Sequence, residues 1–278
     1  MKAEASARSA LAVAVIATLV SLGAARLEAG SPDESSRLAV AVLLLCTLVK
    51  VGLLGLAATW IWSGRRRLGS GHPAAPAWTL LALGWSFLAA GHATLGFEQI
   101  VIDPNWFPSL SDLLFLPGQA LLAAALFRFG AVYRASDLFP DEGAARARAV
   151  VWAVALGVGG VLIVTDLRLD APGIERAADV AYAVMDLAIL IPLALLARQA
   201  RTLGGRVGRA WALLLVGAAL FGAADVTLGY LIAFDAYPSN LVAQFAFLLS
   251  YGCIAAGSRL QLALVDGEAR QLAEAQAA

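Results

Sequence analysis

Charge is what this sequence lacks most. Lys and Arg together number 20 and Asp and Glu 20, so charged residues make up 14% of the 278, against roughly 25% in soluble domains. A soluble chain of this length could not cover its surface with so few. The formal net charge is zero, which excludes a basic nucleic-acid binder and an acidic decoy. The two histidines, His72 and His92, cannot form an HExxH zinc site, and the two cysteines, Cys46 and Cys253, lie singly in apolar runs without disulfide or metal-ligand spacing. Neither a metal nor a cofactor is expected. With 10 prolines and no long polar tract, disorder is excluded for most of the chain.

Apolar residues are abundant: 60% of the chain, at a mean hydropathy of +0.78. A helix crossing the ~30 Å hydrocarbon core needs about 20 mostly apolar residues. Eight such runs occur, near 9–27, 38–62, 77–97, 109–129, 148–166, 177–197, 209–233 and 239–262. They are rich in Leu, Ala and Val and lack strand alternation, which favours helices over a barrel. The expected fold is therefore an all-α polytopic bundle over residues 1–262, followed by a charged amphipathic tail over 263–278. The first run has the basic start of a signal peptide, but Leu27-Glu28-Ala29 is a poor cleavage site.

Basic residues set the orientation. One set of segments holds 15 of them: Lys2, Arg8, Arg65, Arg66, Arg67, Arg128, Arg134, Arg146, Arg148, Arg198, Arg201, Arg206, Arg209, Arg259 and Arg270. The opposite set holds Arg26, Arg37, Arg168 and Arg176, and Lys50 lies within a span. By the positive-inside rule both termini face the cytoplasm.

The chain repeats itself. Trp78-Thr-Leu-Leu-Ala-Leu-Gly84 matches Trp211-Ala-Leu-Leu-Leu-Val-Gly217, and Thr94-Leu-Gly-Phe97 matches Thr227-Leu-Gly-Tyr230, at an offset of 133 that sets His92 opposite Asp225. The repeat halves lie near 78–130 and 211–260. Each first span runs into an outer loop with an acid and a proline, Asp103 to Pro108 and Asp235 to Pro238. A second pattern, Asp112-x-x-Phe115-x-x-x-Gln119, recurs as Asp179-x-x-Tyr182-x-x-x-Asp186 and as Gln244-x-x-Phe247-x-x-x-Tyr251. Positions i, i+3 and i+7 share a helical face.

Ionisable groups inside a span cost at least ~2.5 kcal/mol and are functional candidates by default. Here they are Lys50, His92, Asp112, Asp179, Asp186 and Asp225, with Gln119, Tyr182, Gln244 and Tyr251 beside them. Asp112, Lys50 and Gln244 precede Arg128, Arg65 and Arg259 by 16, 15 and 15 residues, which puts all three about 23 Å above the basic rim. The candidates thus converge on one level in the outer half as a ligand- or proton-responsive pocket. Similar depth predicts that Lys50 is neutralised by Asp112, Asp179 or Asp186. Other motifs carry less: Gly222-Ala-Ala-Asp225 only approaches the GxGD of intramembrane proteases, Gly157-Val-Gly-Gly160 lacks a phosphate loop's Lys-Ser/Thr, and no catalytic triad exists.

Pro108-Ser-Leu-Ser-Asp-Leu-Leu-Phe115, Ala181-Tyr-Ala-Val-Met-Asp-Leu187 and the stretch from Gly222-Ala-Ala-Asp225 to Tyr251 resemble the multi-span sensor regions of bacterial diguanylate cyclases and related signalling proteins. The resemblance covers roughly residues 78–260. Gln119 departs from a usual Tyr-Pro and Gln244 from a usual Asp. The resemblance implies an inner-membrane signal-transduction module that passes a signal to a fused or separate cytoplasmic cyclase or kinase. No such output domain occurs up to Ala278, so the chain itself is not expected to be an enzyme. The tail has a partly apolar stripe of Leu260, Leu264, Leu272 and Ala275, suited to a partner helix or a second copy of the chain. The rival readings are a small proton- or solute-coupled transporter and a membrane-embedded enzyme acting on a lipid-like substrate.

Overall fold

The computed structural model describes residues 2–28, 35–102, 109–135, 173–233 and 241–277. Among these residues every element is helical. The helices are α1 (Lys2–Glu28), α2 (Ser35–Leu68), α3 (Ala75–Phe97), α4 (Asp112–Ala135), α5 (Gly173–Leu203), α6 (Gly205–Ala233) and α7 (Leu241–Ala277). All seven contain a stretch long and apolar enough to cross a membrane. The expected span at 148–166 and the two outer loops lie outside the described residues.

Helices form here because lipid offers the backbone no hydrogen bonds, so each span must satisfy its own. Their ends follow local chemistry. Arg65, Arg66 and Arg67 complement the C-terminal dipole of α2, and Gly69 at φ +75° then turns the chain. Proline occupies the first turn of α3, where its missing N–H costs nothing. Gly204 and Gly205, at φ +66° and +57°, separate α5 from α6. The outward faces carry Ile16, Leu19, Leu48, Leu56, Leu83, Leu113 and Val216 exposed, an apolar surface suited to a lipid bilayer and too extensive for a soluble monomer.

Small residues let the helices approach closely, as membrane bundles require. A Cβ added at Gly84 would stand 3.1 Å from the Gly118 carbonyl oxygen, and one at Gly217 2.9 Å from that of Ser250. These contacts, with Gly91 on Phe115 and Gly257 on Leu214, make α3–α4 and α6–α7 antiparallel hairpins. Gly64 packs on Trp78 and Gly208 on the Ala200 backbone, so α2–α3 and α5–α6 are antiparallel as well. By contrast α2 and α7 run parallel: Lys50 bonds Gln244 near one end and Arg67 pairs with Asp266 near the other. Parallel too are α4 and α5, since Asp112 meets Tyr182 while Gln119 and Leu122 share a cavity with Asp186 and Leu190.

This arrangement gathers Arg65, Arg66, Arg67, Arg128, Arg134, Arg198, Arg201, Arg206 and Arg209 at one end of the bundle. There Glu4 of α1 lies 3.6 Å from Arg206 and 3.4 Å from Arg209. The middle is an apolar core that includes Leu54, Ile61, Trp78, Leu81, Leu126, Phe129, Trp211 and Leu214. Trp78 and Trp211 both meet the Phe129 ring edge-on, with centroids 6.2 and 5.4 Å away. Above that core, away from the basic end, lies the polar level.

Candidate functional site

The polar level is built from six helices, α2 to α7, with α7 reaching farthest across it. Gln244, Phe247 and Tyr251 follow at i, i+3 and i+7 and line one face of α7. Lys50 of α2 is 3% exposed; its ammonium donates to Gln244 Oε1 and stands 5.5 Å from the centre of the Phe247 ring. His92 of α3 is buried, shares a hydrogen bond between its Nε2 and the Tyr251 hydroxyl, and meets Phe115, Phe247 and Tyr251 edge-on at 4.8, 6.2 and 5.1 Å.

Asp112 opens α4. Its Oδ2 accepts from the Ser109 backbone N–H at 2.5 Å and from the Ser109 hydroxyl at 3.1 Å, the backward reach of a capping box. Its Oδ1 accepts from the Tyr182 hydroxyl of α5. Asp112 is thus fully engaged, and holds α5 against the start of α4. Lys50 was expected to pair with an aspartate. It does not pair with Asp112 or Asp186; Gln244 takes the ammonium instead, because counting residues along a helix gives depth but not azimuth. The Asp179 side chain lies outside the described residues.

The remaining groups are poorly satisfied. Gln119 of α4 is 1% exposed, and neither Oε1 nor Nε2 has a partner. Asp186 of α5 is buried, with its Oδ2 4.0 Å from a Cβ placed on Gly222 of α6. One turn on from Gly222, Asp225 keeps a buried Oδ2 without a partner.

One member was missed by sequence reasoning. The expected span ends at residue 97, yet α3 continues through one wider turn, Glu98–Ile102, and buries Glu98 completely. Its Oε1 accepts from the Ser111 N–H at 3.3 Å, while Oε2 is unpartnered. The apolar Ile100-Val101-Ile102 after it was the available signal that the helix does not stop at Phe97. No group of three His, Cys, Asp or Glu among the described residues could hold a metal ion.

Comparison with protein-family models, with curated proteins and with solved structures finds no match. The geometry of the polar level therefore carries the functional argument alone.

Proposed function

We propose that the chain is an integral membrane receptor module whose polar pocket, facing away from the cytoplasm, biases α7 and so passes a signal to a cytoplasmic output domain or partner. The observation that carries this reading is α7 itself. It is the most enclosed of the seven spans, with 78% of its apolar stretch buried. It supplies Gln244, Phe247 and Tyr251 to the polar level, then continues unbroken past the basic end to Ala277. A ligand that binds two arrangements of the polar level with different affinity shifts the balance between them, and α7 is the part that reaches the other side.

The positive-inside rule assigns the basic end to the cytoplasm. An eighth crossing at 148–166 is supported by the parallel run of α4 and α5, because Ala135 ends at the basic side and Gly173 starts at the opposite one. Both termini are then cytoplasmic. Matching contacts also support a duplication larger than the hairpin repeat. Gly84 on Gly118 corresponds to Gly217 on Ser250, and the α2–α7 bond of Lys50 to Gln244 corresponds to the α5–α4 bond of Tyr182 to Asp112. These pairs share an offset of 132 to 133 residues. The duplicated unit is then at least α2–α4 against α5–α7, with Tyr182 in the place of Lys50.

A parallel repeat of this kind also occurs in carriers, which keeps the transporter reading as the rival. A carrier must open its site to both sides in turn, and the core of Leu54, Ile61, Trp78, Leu126, Phe129 and Trp211 separates the polar level from the basic end. Thiol labelling decides between the two. With Cys46 and Cys253 replaced by Ala, Tyr182→Cys and Asp225→Cys are expected to react with a membrane-impermeant reagent in intact cells and not in inverted vesicles. Reaction from both sides would contradict the receptor reading and favour the carrier.

A further inference from the structure

The arginines at the basic end of the bundle are not used alike. On α2 each is engaged: Arg65 donates to the Thr79 hydroxyl at 3.1 Å and to the Gly69 carbonyl at 3.4 Å, Arg66 lies over the Trp62 ring, and Arg67 pairs with Asp266. The turn between α5 and α6 differs. Arg198, Arg201, Arg206 and Arg209 fall within 12 residues there, and all four are exposed. Among the described residues one carboxylate faces them, Glu4 of α1, whose Oε1 serves both Arg206 and Arg209. Arg198 and Arg201 have no ion-pair partner among the described residues. Gly204 and Gly205, both at positive φ, keep the turn tight, and Gly208 lets α6 pass close to the Ala200 carbonyl of α5.

We propose that the α5–α6 turn binds the phosphate headgroup of one anionic membrane phospholipid. The site lies at the opposite end of the bundle from the polar level and is independent of what that level binds. Charge is the first reason. Four guanidinium groups against one carboxylate leave an excess of positive charge, and the guanidinium fork matches phosphate oxygens two at a time. The backbone is the second. The N–H groups in the first turn of α6 have no acceptor within their own helix, whose ladder begins where Gly208 bonds the Gly204 carbonyl. They offer donors to the same phosphate. Depth favours a lipid over a soluble anion. The turn stands at the bilayer edge, where basic clusters meet anionic headgroups. Val216 and Ala223 follow Arg209 at i+7 and i+14 on one face of α6, and both are exposed. A headgroup on Arg209 therefore has room for an acyl chain along an apolar stripe of the same helix. Glu4 competes with the phosphate for Arg206 and Arg209.

The test uses the full chain purified in a neutral detergent. Retained lipid is counted by native mass spectrometry, and thermal unfolding is followed with phosphatidylglycerol, with phosphatidylcholine of the same chains, and with glycerol phosphate at matched phosphate concentration. One phosphatidylglycerol is expected to stay bound, and at 100 times its Kd it should raise the folded-to-unfolded ratio about 100-fold. Phosphatidylcholine and glycerol phosphate should do neither. Combining Arg201→Gln with Arg209→Gln is expected to weaken the lipid about 30-fold. Glu4→Gln removes the competing carboxylate and should tighten it severalfold, while Arg66→Gln, on the same rim but over Trp62, should leave it unchanged. Should the double variant not fold, the parent decides: saturation at one phosphatidylglycerol, with no phosphatidylcholine retained, supports the site. Equal retention of the two lipids, or equal weakening by Arg66→Gln, would show a general surface charge and overturns the proposal. Stabilisation by glycerol phosphate equal to that by the lipid assigns the turn to a soluble anion and overturns it as well.

Discussion

Gln244→Leu is expected to destabilise the detergent-solubilised protein by about 3 kcal/mol, the cost of leaving a buried charged donor without its acceptor. Lys50 cannot escape that cost by snorkelling, being 3% exposed and far from the basic rim. Lys50→Met alone leaves only a neutral amide unpaired, and is expected to cost about 1–2 kcal/mol. The double variant Lys50→Met with Gln244→Leu replaces both partners by apolar groups and should cost about 1 kcal/mol, well below the sum of the singles. Combining Lys50→Met with Asp112→Asn or Asp186→Asn should instead be additive, since neither carboxylate touches the ammonium. Thermal unfolding of these variants, together with the single Asp112→Asn and Asp186→Asn changes, seven in all, checks the pattern. Additivity of Lys50 with Gln244, or strong coupling of Lys50 with either aspartate, would refute the assigned pair.

The second large effect is expected at Asp112→Ala, at about 2–4 kcal/mol. Two losses combine there. The Ser109 N–H and hydroxyl lose their acceptor at the start of α4, worth about 1 kcal/mol for a cap. The Tyr182 hydroxyl is left unpartnered, at about 1–3 kcal/mol. Tyr182→Phe should therefore rescue part of the Asp112→Ala loss, and the cap's share should remain. Unfolding midpoints of the two singles and the double measure this; no rescue would mean that the α4–α5 bond contributes nothing.

Much of the architecture was legible in the sequence because the bilayer imposes it. Seven of the eight expected spans coincide with helices, since a run of Leu, Ala and Val long enough to cross has no other way to satisfy its backbone. Depth was legible too: the spacing from Lys50, Asp112 and Gln244 to the next arginines put them on one level, and the structure brings Lys50 to Gln244 there. What one-dimensional spacing cannot carry is rotation about the helix axis. That is why Lys50 was given an aspartate rather than Gln244. It is also why the Tyr182 helix was grouped with the Asp112 helix, whereas their contacts put Tyr182 in the place of Lys50. Glu98 escaped because a charged residue at the end of an apolar run ordinarily marks a loop, and only the burial of one more helical turn against Ser111 reverses that expectation.

The coupling of the polar level to α7 is the central claim, and a fused output tests it most directly. Residues 258–278 joined in register to a diguanylate cyclase or histidine kinase domain give an activity that reports the position of α7. The account predicts that Tyr251→Phe, which cuts the bond to His92, and Asp225→Asn, which alters the opposite half of the level, each change that activity severalfold in fully inserted protein. Activity that stays constant across both variants would contradict it.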